Sequence, residues 1–149
     1  MMKVKKIKPI QVKKCIVLIG PPCSGKSTWA KEQNLPILSC DDIRMEYNNG
    51  KYIHNPFIEG DVWDDFYISL SSYTSDFIVD NTNCKEVYIK SIIRHLPKDF
   101  TVEYKVFDVP LYKLYYRNIV RYLKTSKWIP FTVIKRMKTN FDNIKQNYK

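Results

Sequence analysis

No stretch of this chain is apolar for the ~18–20 residues that a bilayer span requires. The first residues, Met1-Met2-Lys3-Val4-Lys5-Lys6-Ile7-Lys8-Pro9, also lack the apolar core of a secretory signal. Together these absences lead to the expectation of a cytoplasmic protein with no membrane partner. No C-x-x-C pair occurs among the four cysteines, Cys15, Cys23, Cys40 and Cys84. That argues against a zinc site and against a disulfide framework. Internal repeats and low-complexity linkers are absent, and 149 residues suit one domain with a real core. Nothing in the sequence signals an obligate protein partner. Acidic residues are missing from residues 1–14, which hold six lysines. They are nearly missing from residues 111–149, where ten basic residues face one acidic. The middle, residues 15–110, has nine basic and fourteen acidic residues. The net charge of +10 therefore sits at the two ends. Such polarity suits a polyanionic partner held with salt-sensitive affinity; the alternative is a solvated basic surface.

Glycine is scarce as well, four in 149 residues, yet two of the four stand in one motif. Gly20-Pro21-Pro22-Cys23-Ser24-Gly25-Lys26-Ser27 fits G-x-x-x-x-G-K-[ST] and follows the apolar run Cys15–Ile19. A buried strand, a glycine turn and a helix start are the context of a phosphate-binding P-loop. Its backbone N–H groups and the positive end of the helix would face anionic oxygens. Lys26 would reach the β- and γ-phosphates of ATP, and Ser27 would hold Mg²⁺. Thr28 continues the helix. Cys23 lies beside a helix N-terminus, a position that lowers a thiol's pKa; otherwise it is a tolerated loop side chain.

Strands and helices alternate, which predicts an α/β fold with a small central parallel sheet flanked by helices. Strands are expected at Cys15–Ile19, 37–39, 77–79 and Thr101–Val109. Helices are expected at Lys26–Asn34, Asp42–Asn48, Phe57–Ser75, Lys85–Leu96, Leu111–Leu123 and Phe131–Tyr148. In the fifth helix, Leu111, Tyr115, Ile119 and Tyr122 fall on one side at helical spacing. Arg117 and Arg121 fall opposite, so that face offers two guanidiniums as nucleotide-binding candidates, or is a solvated basic face.

Ser39-Cys40-Asp41-Asp42-Ile43-Arg44 follows the second strand. Ligands of open α/β sheets sit at the carboxyl ends of strands, so Asp41 or Asp42 is placed near a γ-phosphate. A carboxylate there can accept a proton from an attacking hydroxyl, or simply cap the helix. Phe77-Ile78-Val79-Asp80 has the form of a Walker B segment, whose aspartate supports Mg²⁺ together with Ser27. The alternative is a strand-end turn satisfied by Asn81, Thr82 and Asn83.

These pieces resemble the kinase domain of bacteriophage polynucleotide 5′-hydroxyl kinases. The likeness is carried by residues 20–30, Asp41-Asp42-Ile43-Arg44, Thr82-Asn83, Lys105-Val106-Phe107-Asp108-Val109-Pro110 and Arg117-Asn118. The resemblance implies transfer of the ATP γ-phosphate, with Mg²⁺, to the 5′-hydroxyl of single-stranded or end-exposed DNA or RNA. The six lysines of residues 1–14 lead to the expectation of a basic N-terminal arm, and the resemblance implies a P-loop polynucleotide kinase domain over 15–149. It further implies Asp41 as general base, with Lys26 and Ser27 at the donor. Arg117 is implied on the donor phosphates, Arg44 on the acceptor backbone, and Asn81, Thr82 and Asn83 at the substrate. The family reads Asp-Thr-Asn where this chain reads Asn81-Thr82-Asn83, and its aspartate orients the site's arginine. Many relatives carry a phosphatase domain with an Asp-x-Asp-x-Thr motif; none occurs here, and kinase activity without 3′-phosphatase activity is expected. A small-molecule P-loop kinase, a non-catalytic nucleic-acid binder and an ATPase switch are the competing readings.

Overall fold

The computed structural model describes residues 2–6 and 11–149; residues 1 and 7–10 of the expected N-terminal arm lie outside the described residues. The apolar run at Cys15 becomes β1 (Lys13–Ile19), which begins two residues earlier than expected. It pairs in parallel with β3 (Phe77–Val79) on one side and β4 (Phe100–Val106) on the other. The short β2 (Ile37–Leu38) adds to β3, giving the order β2-β3-β1-β4 with every strand parallel.

A parallel sheet is covered on both faces, so its strands read as continuous apolar runs instead of alternating ones. Cys15, Val17 and Ile19 face the larger core. There they meet Phe66 and Leu70 of α3 (Glu59–Ser72), Ile89 and Ile92 of α4 (Glu86–His95), and Phe141 of α6 (Phe131–Ile144). Leu18 and Ile78 face the other way, onto Ala30 and Trp29 of α1 (Lys26–Glu32) and onto Phe107. The fold is the small parallel sheet flanked by helices expected from the sequence.

Several boundaries move. α2 (Cys40–Tyr47) starts two residues early because Ser39 caps it, its Oγ accepting the Asp42 N–H at 3.4 Å. β4 stops at Val106 because the chain turns at Asp108 and enters α5 (Leu111–Thr125) through Pro110. α6 ends at Ile144 and is followed by a 3-10 turn at Lys145–Asn147.

The inward face of α5 differs from the expected one. Leu114 and Asn118 are buried and Arg121 is half-buried, whereas Ile119 and Tyr122 are 43% and 48% exposed. Arg121 therefore does not share the outward face with Arg117. The helix turns a polar residue inward because Asn118 has backbone partners there.

Asp108 ties α6 and the C-terminal residues to the end of β4. Its carboxylate accepts from Lys138 and Lys149 at 3.0 Å and pairs with Lys145 at 3.1 Å. The Lys149 hydrogen bond foremost, with help from Lys138 and Lys145, outweighs burial and holds the carboxyl well below the usual aspartate range. A depressed folded-state pKa stabilises above the unfolded value and loses that stabilisation as pH falls through the folded one. Asp108→Asn is therefore expected to cost about 1 kcal/mol at neutral pH, or about 2–4 °C in Tm. The difference from wild type should shrink as the pH falls below the unfolded aspartate value of about 3.9. Thermal melts of both proteins at neutral and acid pH check this.

Candidate active site

The two motif glycines are each required by geometry. A Cβ on Gly20 would lie 2.8 Å from Ser24 Oγ and 2.9 Å from Phe107 Cβ, closer than real contacts allow. Gly25 has φ +95°, which side chains rarely adopt. Residues just past the neighbouring strands hold the loop's base: the Gly20 N–H donates to Thr82 O and the Phe107 N–H to Ile19 O, both at 2.9 Å. Pro21, Pro22 and Ser24 are buried in the turn, and Thr28 lies exposed in the first turn of α1.

Lys26 is only 7% exposed and folds back over the loop. Its Nζ donates to Pro21 O at 2.9 Å and to Ser24 Oγ at 3.4 Å. Burial lowers its pKa, with the Asp80 carboxylate the largest opposing influence. Cys23 takes φ 66° in the same loop. Burial raises its thiol pKa in spite of Arg121, Lys26 and two other cations. The helix-end lowering expected from sequence is thus outweighed by desolvation.

Ser27 Oγ donates to Asp80 Oδ2 at 2.6 Å, joining the loop to the carboxyl end of β3. These hard oxygens suit Mg²⁺, which takes few protein ligands and completes its shell with water and phosphate. Among the described residues no cluster of three or more His, Cys, Asp or Glu side chains forms a metal cage.

The first turn of α2 brings two more carboxylates to this end of the sheet. Asp41 Oδ1 accepts from Arg44 Nη1 at 2.8 Å. Arg44 also grips Glu59 at the start of α3 with two nitrogens, Nε to Oε2 at 3.0 Å and Nη2 to Oε1 at 2.5 Å. Burial would lower the guanidinium's pKa, but Glu59 and Asp41 outweigh it and push it further up. Asp42 lies close enough to Asp80 and Asp41 that both add to the effect of burial in raising its pKa.

The strand-end amides make contacts within the fold, although Asn83 Oδ1 is buried with no hydrogen-bond partner among the described residues. Asn81 Oδ1 accepts the Cys40 N–H at 2.9 Å, which completes the start of α2 and engages no arginine. Asn83 is 2% exposed and donates to Leu18 O at 2.8 Å. Arg117 is held by the loop itself, Nη1 donating to Cys23 O at 3.3 Å. Behind it, Arg121 has Nε and Nη2 shielded from solvent with no hydrogen-bond partner among the described residues.

Residues 15–144 match the family described as an AAA domain. The chain belongs to this AAA domain family. Its fold is that of the P-loop kinases. One chain of a Pnkp1/Rnl/Hen1 RNA repair complex superposes with TM-score 0.81 at 23% identity, over 98% of this chain and 49% of that one. A chain from a second structure of the Pnkp1/Rnl/Hen1 complex gives 0.64 at 25%, over 76% of this chain and 41% of that one. The present chain thus spans about half the length of these relatives or less. A gluconokinase from Sinorhizobium meliloti gives 0.59 at 15%, over 91% and 78%. No curated protein matches in sequence. None of the AAA domain's helices, among the described residues, is long and apolar enough to cross a membrane.

Sequence reasoning assigned no role to four residues that this AAA domain brings to the site. Glu59 arrives from α3 to hold Arg44. Asn118, wholly buried, joins the α5–α6 connection to the phosphate loop: Nδ2 donates to Ile129 O at 2.8 Å, and Oδ1 accepts the Ile129 N–H at 3.3 Å and the Cys23 thiol at 3.9 Å. Only the Arg117-Asn118 pair in the family likeness pointed toward it. From that connection Lys127 reaches back, its Nζ 4.0 Å from the centre of the Tyr52 ring.

Proposed function

We propose that this chain transfers the γ-phosphate of ATP to the 5′-hydroxyl end of a DNA or RNA strand. The observation that carries the reading is the Asp41–Arg44 pair at the start of α2, built onto the same sheet end as Lys26 and the Ser27–Asp80 contact. Phosphoryl transfer asks for positioning and charge neutralisation more than for covalent help. The acceptor oxygen bonds to the γ-phosphorus while the bond from that phosphorus to the β,γ-bridging oxygen breaks. Asp41 takes the hydroxyl proton, and ADP leaves with the bonding pair. Lys26 and Arg117 hold the donor's phosphates. Mg²⁺, when bound at Ser27 and Asp80, would neutralise β- and γ-phosphate charge. Arg44, steadied by Glu59, faces the acceptor's backbone phosphate, and the basic C-terminal quarter favours a polyanion. The likeness to a chain of an RNA repair complex supports the same class of acceptor.

A small-molecule acceptor is the second reading, favoured by the likeness to a gluconokinase and by the neutralisation of Arg44 between two carboxylates. The test is transfer of labelled γ-phosphate to a 5′-hydroxyl oligonucleotide, beside a 5′-phosphorylated oligonucleotide, nucleosides and gluconate. Labelling confined to the 5′-hydroxyl oligonucleotide is expected. Labelling of a small molecule in preference to the oligonucleotide would overturn the reading.

A further inference from the structure

We infer that Lys127 is a third cation of the donor site, seated on the Tyr52 ring so that its ammonium meets the terminal phosphate of ATP. The inference deepens the phosphotransfer reading given above and rests on it. Four observations place the residue. First, the Nζ lies 4.0 Å from the Tyr52 ring centre, within the range of a cation–π contact that fixes where the charge sits. Second, the connection carrying Lys127 is anchored at both ends. Ser126 takes a left-handed conformation with φ 59° and donates its N–H to Tyr122 O at 2.8 Å, and Ile129 is held by Asn118. The Lys127 N–H itself donates to Thr125 Oγ1 at 3.3 Å.

Third, Lys127 is part-withdrawn from water, and its charge faces the site from several elements. Burial lowers its pKa and Arg121 of α5 adds to that, while Asp41 and Asp42 of α2 and the Cys23 thiol of the loop favour the charged form. Fourth, Tyr52 keeps 39% of its surface exposed, and its hydroxyl feels Asp41, Arg121 and Cys23, three of the groups that act on Lys127. The connection carrying Lys127 also abuts the phosphate loop, since Asn118 Oδ1 takes both the Ile129 N–H at 3.3 Å and the Cys23 thiol at 3.9 Å. Two carboxylates and a transferring phosphate repel one another. An ammonium on a fixed ring offsets that repulsion, and it is more useful toward a group that gathers charge in transfer.

The α- and β-phosphates belong to the loop, so the prediction separates ATP from ADP. Calorimetric titrations with Mg²⁺ and either nucleotide, without acceptor, are made on wild type, Lys127→Ala, Lys127→Arg and Tyr52→Leu, with melts to confirm folding. Lys127→Ala should weaken ATP about tenfold or more, the scale of one hydrogen bond to a charged group, and ADP less than twofold. Lys127→Arg should restore most of the ATP affinity. Tyr52→Leu should weaken ATP by about two- to fivefold through loss of the ring. Equal losses for ATP and ADP would overturn the inference and leave a structural role. Unchanged ATP affinity with weaker oligonucleotide binding would also overturn it, assigning the lysine to the acceptor. Absence of oligonucleotide phosphorylation by wild type would count against the acceptor class alone, since the ATP–ADP comparison uses no acceptor.

Discussion

Asp41→Asn is expected to leave ATP affinity near wild type and to cut turnover by about 10²–10⁴, the share a positioned general base contributes. The substitution is close to isosteric. Its Oδ1 can still accept from Arg44 Nη1, now 2.8 Å from the Asp41 oxygen, so the start of α2 keeps its shape. What is lost is the capacity to take the acceptor's proton. Asp41 is about half exposed at the mouth of the site, so the substitution should carry little stability cost. Steady-state rates of 5′ phosphorylation, set beside nucleotide titrations, separate the outcomes. A rate near wild type would end the general-base assignment. It would turn attention to Asp42, whose carboxyl is pushed up by burial and by its neighbours Asp80 and Asp41.

Lys26→Ala is expected to lower transfer by about 10²–10³ or more, the scale seen when one fixed donor to developing charge is removed. Stability should move the other way or stay level. The ammonium is almost wholly withdrawn from water, and only neutral oxygens of Pro21 and Ser24 accept from it. Removing a buried charge with such partners relieves a desolvation cost. A melting temperature equal to or above that of wild type, with transfer lost, is the signature of a residue kept for chemistry at the expense of folding. A clear fall in melting temperature would assign Lys26 a structural role in the loop.

The parts of the site legible in sequence are those whose contacts are local or end a strand. The phosphate loop is set by spacing within eight residues, and Asp80 by its place after an apolar strand. Glu59 was hidden because it meets Arg44 from fifteen residues away, and a carboxylate in the first turn of a helix is explained equally well by the helix dipole. Tyr52 and Lys127 meet only through tertiary structure, 75 positions apart in the chain. The inward face of α5 was misplaced for a different reason. Apolar spacing selected Ile119 and Tyr122, whereas the fold turns Asn118 and Arg121 inward. Hydrogen-bond demand from the α5–α6 connection accounts for Asn118, and periodicity of hydrophobic residues carries no record of such demand. Asn81 shows the same limit: its amide completes the start of α2, a backbone need that no motif announces.

The pairing of Asn118 with both backbone groups of Ile129 has a kinetic consequence. One side chain serves an N–H and a carbonyl of the same residue, so neither bond can stretch far without the other breaking. The connection between α5 and α6 therefore opens as a unit, and the Ile129 amide exchanges its hydrogen only when that happens. Its exchange rate is a single-residue clock for how often the α5–α6 connection opens.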